Sequence, residues 1–168
     1  MALSKIQSAS MDTGVPTRAQ MPAGSVLQVI SGYNSGKVTT NATSFTALAT
    51  SPSITPTTAT SKILVSLSTN IARQGSAGNA YFAVYRNGTT SLLQSGQVEH
   101  FGFWNDYSAY TFTSMTWQYL DSPAVATPVY YQIQGKTDGA AVSAVVGGRG
   151  LDETHTNGVL WTLMEIAA

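Results

Sequence analysis

From Gly24 to Ile166 the chain is a succession of short runs in which apolar and polar residues alternate, separated by Gly, Pro, Asn and Ser. A period of two places successive side chains on opposite faces of an extended strand. No stretch has convincing helical periodicity. The clearest interior strand is Lys62 to Ile71 (KILVSLSTNI), with Ile63, Val65 and Leu67 on one face and Ser66 and Ser68 on the other. Val129 to Gln134 sets Val129, Tyr131 and Ile133 against Tyr130 and Gln132, and Val142 to Val146 follows a turn at Asp138-Gly139. The last strand, Val159 to Ile166, has Trp161 and Leu163 on one side and Leu160, Met164 and Ile166 on the other. Shorter strands are predicted over Ser25 to Ile30, Val38 to Asn41, Ser44 to Ala49 and Val98 to Phe103, with a turn over Ser31 to Gly36. Thr50 to Ser61 contains Pro52 and Pro56 and reads as an extended crossing with at best an edge strand around Ile54.

Two segments carry more specific information. AYFAVYR (Ala80 to Arg86), Asn87-Gly88 and TTSLLQ (Thr89 to Gln94) form the sequence of a two-residue hairpin, because Asn and Gly both tolerate positive φ. Phe82 and Val84 share one face and Tyr81 and Tyr85 the other, so one face can fill a core while the second needs another cover. In Ala109 to Leu120, Tyr110 and Phe112 are even-numbered but Met115, Trp117 and Tyr119 odd-numbered, which predicts a bulge near Ser114. Eight to ten such strands fit an all-β, antiparallel two-sheet sandwich. A jelly roll suits better than an immunoglobulin-like sandwich, whose Cys–Trp–Cys signature is missing.

Ahead of this body, Met1 to Gln20 has scattered Leu3, Ile6, Met11 and Val15 but no periodic apolar face. A segment that cannot bury itself needs a partner to become ordered. With a break at Met21-Pro22-Ala23-Gly24, the chain divides into an anchoring arm, 1–22, whose four apolar residues are the docking candidates, and a head, 23–168.

Charge sharpens the picture. The 168 residues contain 8 Lys and Arg and 8 Asp and Glu, with a net charge of zero. A monomer of this size exposes about 8,000 Å², or roughly one formal charge per 500 Å². Such a sparse surface predicts cover by neighbouring copies. Tyr81, Tyr85, Trp117, Tyr119, Tyr131, Trp161 and Leu163 are the candidates for core or oligomer interface. The basic residues are scattered, which argues against a nucleic-acid partner. No apolar run approaches the roughly 18 residues of a membrane span, and none near the N-terminus resembles a signal-peptide core, so no membrane partner is expected. Cysteine is absent, which excludes a disulfide framework and thiolate metal sites.

Catalytic chemistry finds little support. His100 and His155 could combine with Glu99, Asp106, Asp152 or Glu153, and Asp152-Glu153-Thr154-His155 is the best local donor cluster. It sits among glycines, where polar loop residues are expected anyway. No G-x-S-x-G elbow occurs, and the GGRG run lacks the lysine of a phosphate loop. Asp121 and Asp138 read as turn residues. The expectation is therefore a protein without catalytic residues, cofactor or metal. Exposed aromatics can stack on sugars, and Trp104 and Tyr107, in a loop, are the ligand-contact candidates.

The opening MALSKIQSASM, the junction MPAGSVLQVISG, the stretches SPSITPTTATSKILVSLS and SMTWQYLDSPAVATPVYYQIQ and the ending LWTLMEIAA resemble small structural proteins of tailed bacteriophages, including tail-fibre tips and capsid-surface proteins. The resemblance spans nearly the whole chain. It implies a trimeric β-sandwich head of jelly-roll or tumour-necrosis-factor-like shape, joined to the virion by its N-terminal segment. Fibre proteins usually place a long repetitive shaft between anchor and tip, and no repeat separates Gln20 from Gly24. The sequence thus leads to a capsid decoration or cement protein, a homotrimer whose arm binds the major capsid protein or another virion protein. The alternative is a head-fibre or tail-fibre tip that binds a host surface glycan.

Overall fold

The computed structural model describes residues 21–75, 78–92, 99–103, 110–139, 141–148 and 156–168. Among these residues there is no helix. In chain order the strands are β1 (Val26–Asn34), β2 (Val38–Thr40), β3 (Thr46–Thr50), β4 (Lys62–Gly75), β5 (Ala80–Arg86) and β6 (Thr90–Ser91). They continue with β7 (Phe101–Phe103), β8 (Tyr110–Asp121), β9 (Tyr131–Thr137), β10 (Val142–Val146) and β11 (Val159–Ile166).

All pairings are antiparallel. The larger sheet is built around β4. β8 follows one side of it from Gln74↔Tyr110 to Ile63↔Asp121. On the other side β11 pairs with Lys62 to Thr69 and β10 with Ile71 to Gly75, so these two strands lie end to end. β1 then pairs with β11, and β2 with β10. The smaller sheet runs β3-β9-β5, with β6 and β7 sharing the far side of β5. Setting the short β2 and β10 aside and counting β6 and β7 as one position, the sheets read 1-8-3-6 and 2-7-4-5 in chain order. That interleaving of two Greek keys is a jelly roll, as the strand pattern predicts.

The core between the sheets follows from the alternation. Ile63, Val65 and Leu67 of β4, Phe82 and Val84 of β5, Tyr131 and Ile133 of β9, and Trp161 and Leu163 of β11 are fully buried. Each large apolar side chain so placed contributes on the order of 1.5–3 kcal/mol. Ile54 in the crossing segment is also fully buried and forms an isolated bridge with Val129.

Three expectations need correction. The predicted turn over Ser31 to Gly36 is strand as far as Asn34, because β1 keeps register with β11 through Gly32↔Trp161 and Asn34↔Val159. Gly32 serves close packing there: a Cβ on it would stand 2.6 Å from Cγ and Cδ of Pro52 in the crossing segment. The bulge predicted near Ser114 does not exist, since β8 pairs with β4 without a break. Met115 points inward while Phe112 is exposed, so the phase change reflects apolar residues on both faces of a regular strand. The hairpin has positive φ at Asn87 (51°) and Gly88 (72°), and the Thr89 N–H donates to the Arg86 carbonyl. Its strands, however, pair Arg86 with Thr90, which leaves three residues in the loop.

The junction of β10 and β11 is closed by backbone bonds. The Gly147 N–H donates to the Asn70 carbonyl (2.8 Å), and the Gly147 carbonyl accepts from the N–H groups of Asn157 (2.8 Å) and Gly158 (3.0 Å). Chain leaving at Gly148 and returning at Thr156 therefore passes through one tied neck, where these two residues bridge.

Candidate functional site

The sequence-derived candidates separate by depth. Tyr131, Trp161 and Leu163 lie in the core. Tyr81, Tyr85, Trp117 and Tyr119 are half-buried. Tyr81 and Tyr85 receive a cover from their own chain: Phe45 packs on Tyr85 at 5.6 Å between ring centres, and Lys136 Nζ lies 5.2 Å from the Tyr81 ring and 4.9 Å from Phe45. The rings of Trp117 and Tyr119 are 5.7 Å apart and within 7° of parallel, with His100 at 5.0 Å from Trp117. Leu3, Ile6, Met11 and Val15, the loop residues Trp104 and Tyr107, Asp106 and the Asp152–His155 cluster lie outside the described residues.

The described polar groups are committed to structure. His100 Nδ1 accepts from the Val84 N–H (3.0 Å), so the ring proton sits on Nε2 and is donated to the Leu92 carbonyl (3.3 Å). Burial lowers the pKa of this histidine, and the bond to Leu92 only partly opposes the shift. With both nitrogens engaged, the ring has none to spare for a metal or a substrate proton. Among the described residues, no three His, Asp or Glu side chains are placed to share a metal ion.

Asp121 is not a turn residue. It closes β8, is buried, and accepts from Arg86 Nη1 at 2.8 Å on each oxygen and from the Tyr131 hydroxyl at 2.9 Å. Burial raises the Tyr131 pKa, and the charge of Asp121 and the bond to it raise it further, so the hydroxyl stays a donor. Because Arg86 and Tyr131 belong to the smaller sheet and Asp121 to the larger, the cluster clamps the two sheets together. Asp138 does occupy a turn, where its carboxylate accepts from the backbone and side-chain nitrogens of Asn79 (2.6 and 2.7 Å).

Glu165 forms a second clamp at the end of β11. It is fully buried and accepts from the Thr57 N–H (2.6 Å), the Thr57 hydroxyl (3.1 Å) and Gln28 Nε2 (2.6 Å). Burial pushes its pKa up, but these bonds and one from Ser61 outweigh burial and hold it below the ordinary value. The carboxylate thus fastens the crossing segment and β1 to the last strand.

The same end of the sheet is the root of the N-terminal segment. The Gly24 N–H donates to the Ala167 carbonyl (2.8 Å), and the Ala167 N–H to the Ser25 carbonyl (2.9 Å). Residues 1–20 therefore join the head beside its last strand.

Sequence reasoning passed over the outward-facing residues of the larger sheet. Val29 and Tyr33 on β1, Leu160 on β11, and Phe112 and Leu120 on β8 are all exposed. The signal was present in β11, where Leu160, Met164 and Ile166 form a second apolar side opposite Trp161 and Leu163.

No protein-family description matches this chain, and no curated protein does. Among solved structures, one of infectious bursal disease virus, Gt strain, is similar with a TM-score of 0.35 and 11% identity, over 84% of this chain and 38% of that one. The Gx strain of the same virus gives 0.33 and 14%, over 84% and 37%. A subviral particle of its VP2 protein gives 0.25 and 11%, with the same coverage as the Gx strain. The chain spans about two fifths of the length of these proteins, and likeness at this level carries no inference about its activity or partners.

Proposed function

We propose that the chain is a non-enzymatic structural protein of a bacteriophage virion: a homotrimeric decoration protein of the capsid surface, attached through its first 22 residues. The observation that carries this reading is the root of the N-terminal segment, tied by Gly24, Ser25 and Ala167 to one end of a closed sandwich. A lead that begins at such a fixed point can extend away from the head without disturbing it. Twenty-two extended residues reach at most about 70 Å, far enough to cross neighbouring shell subunits but short for a fibre. Leu3, Ile6, Met11 and Val15 supply apolar anchors along that reach. Several arms on one assembly multiply weak individual attachments.

Deleting Met1 to Gln20 tests the proposal. The truncated head should keep its fold and self-association and lose binding to particles, as read by co-sedimentation; retained binding refutes the anchoring role. A second reading is a fibre tip that binds a host glycan, for which the sequence offers Trp104 and Tyr107 as sugar-stacking aromatics. Purified heads that adhere to host cells and block infection would favour that reading.

A further inference from the structure

We propose that the outward face of the larger sheet, centred on a row of four apolar side chains, is the surface through which copies of this chain meet one another. The row follows from register: Val29 lies opposite Met164, Met164 opposite Leu64, and Leu64 opposite Leu120. It crosses β1, β11, β4 and β8 at right angles to the strands. Val29 is 55% exposed and Leu120 47%. The next row outward is Ser31, Thr162, Ser66 and Gln118, and the one after it Tyr33, Leu160, Ser68 and Thr116, with Leu160 51% and Tyr33 60% exposed.

The chemistry of these three rows selects the occupant. None of their twelve residues is charged. Such a face offers nothing to phosphates or to an oppositely charged protein, yet meets its own copy without like-charge repulsion. A small polar ligand would need converging donors and acceptors in a cleft, whereas here alternate side chains stand on a broad sheet. Four strands about 4.8 Å apart and the five residues that the rows span at about 3.3 Å each outline about 320 Å² per copy, the size of an interface centre rather than of a whole contact. Covering the row also removes from water the apolar area that a charge-poor surface leaves exposed.

This inference rests on the reading that the heads work in several copies, and it locates their contact. The test uses the full chain and light scattering coupled to gel filtration at micromolar concentration. Wild-type protein should run at a whole multiple of 17.7 kDa. Leu120→Glu and Val29→Glu should move it toward the single-chain mass, and the double variant should reach that mass, with an unchanged circular dichroism spectrum. Ser66→Arg, which adds charge in the adjoining row without touching the core, should act likewise should either of those variants misfold. Thr90→Glu, on exposed β6 of the other sheet, should keep the wild-type mass. A wild type already at 17.7 kDa, including one whose first twenty residues lie across this face, overturns the proposal, as do folded variants that keep the assembled mass. Particle binding separates the two readings: its loss from an intact assembly counts against the virion role alone, and its persistence in a monomeric wild type counts against this surface and the homotrimer while leaving attachment to the virion standing.

Discussion

The two faces of β11 and β4 make an instructive pair. On the inward face, Ile63, Val65, Leu67, Trp161 and Leu163 are fully covered by the smaller sheet and the crossing segment. On the outward face of the same strands, Leu64, Leu160 and Met164 are as apolar but only partly covered. Alternation alone does not distinguish these faces, because both read as hydrophobic. What separates them is supply: among the described residues there is one second sheet, and it lies on one side. A strand that is apolar on both faces calls for two covers, and under the proposal above the second is another copy of the chain.

The largest effect that could break the comparison is on the inward side. Trp161→Ala removes a fully buried ring and its Nε1–H bond to Asn34 Oδ1 (2.9 Å). A loss of about 3–5 kcal/mol is expected, visible as a lower denaturant midpoint, and a loss below about 1 kcal/mol would show that this face is not the core.

A smaller effect concerns pH. The folded-state pKa of Glu165 lies below the ordinary 4.5, so the unfolded chain binds the proton more tightly. Its contribution to stability is complete above pH 4.5 and is lost as pH falls through the folded value. Denaturant midpoints of wild type should decline in that acid window, and Glu165→Gln should flatten the decline while lowering stability at neutral pH. An identical acid profile in the variant would remove Glu165 from the account. The smallest effect belongs to the outward face: Leu160→Ser, in dilute solution, should change stability by no more than about 0.5 kcal/mol. A cost comparable to that of Trp161→Ala would mean that both faces are already covered within one chain.

Legibility in the sequence follows the same physics. Val142–Val146 and Val159–Ile166 appear in the structure with their predicted bounds because each is a short, mainly apolar run that a glycine, Gly147 or Gly158, delimits. The end of β1 was hidden by SGYN, which reads as a turn, although Gly32 is there to let Pro52 approach. The regularity of β8 was hidden because Phe112 and Met115 face opposite sides. Asp121 and Glu165 could not be recognised locally. The partners of Asp121 are Arg86 and Tyr131, and those of Glu165 are Gln28, Thr57 and Ser61, all brought in by the fold from distant sequence. For the same reason the source of the cover over Tyr81 and Tyr85 is not legible locally, since Phe45 lies just before β3 and Lys136 belongs to β9. The outward row becomes visible only once β1, β11, β4 and β8 are aligned.

The tied neck between β10 and β11 has a practical corollary. Gly147, Asn157 and Gly158 hold the two ends of residues 149–155 together through bonds that belong to the sheet. Ring closure for anything grafted between them is set by the scaffold, and lengthening a closed loop adds entropic cost only slowly. That position suits a peptide cassette: a foreign epitope could replace the native seven-residue stretch while both flanking strands keep their register.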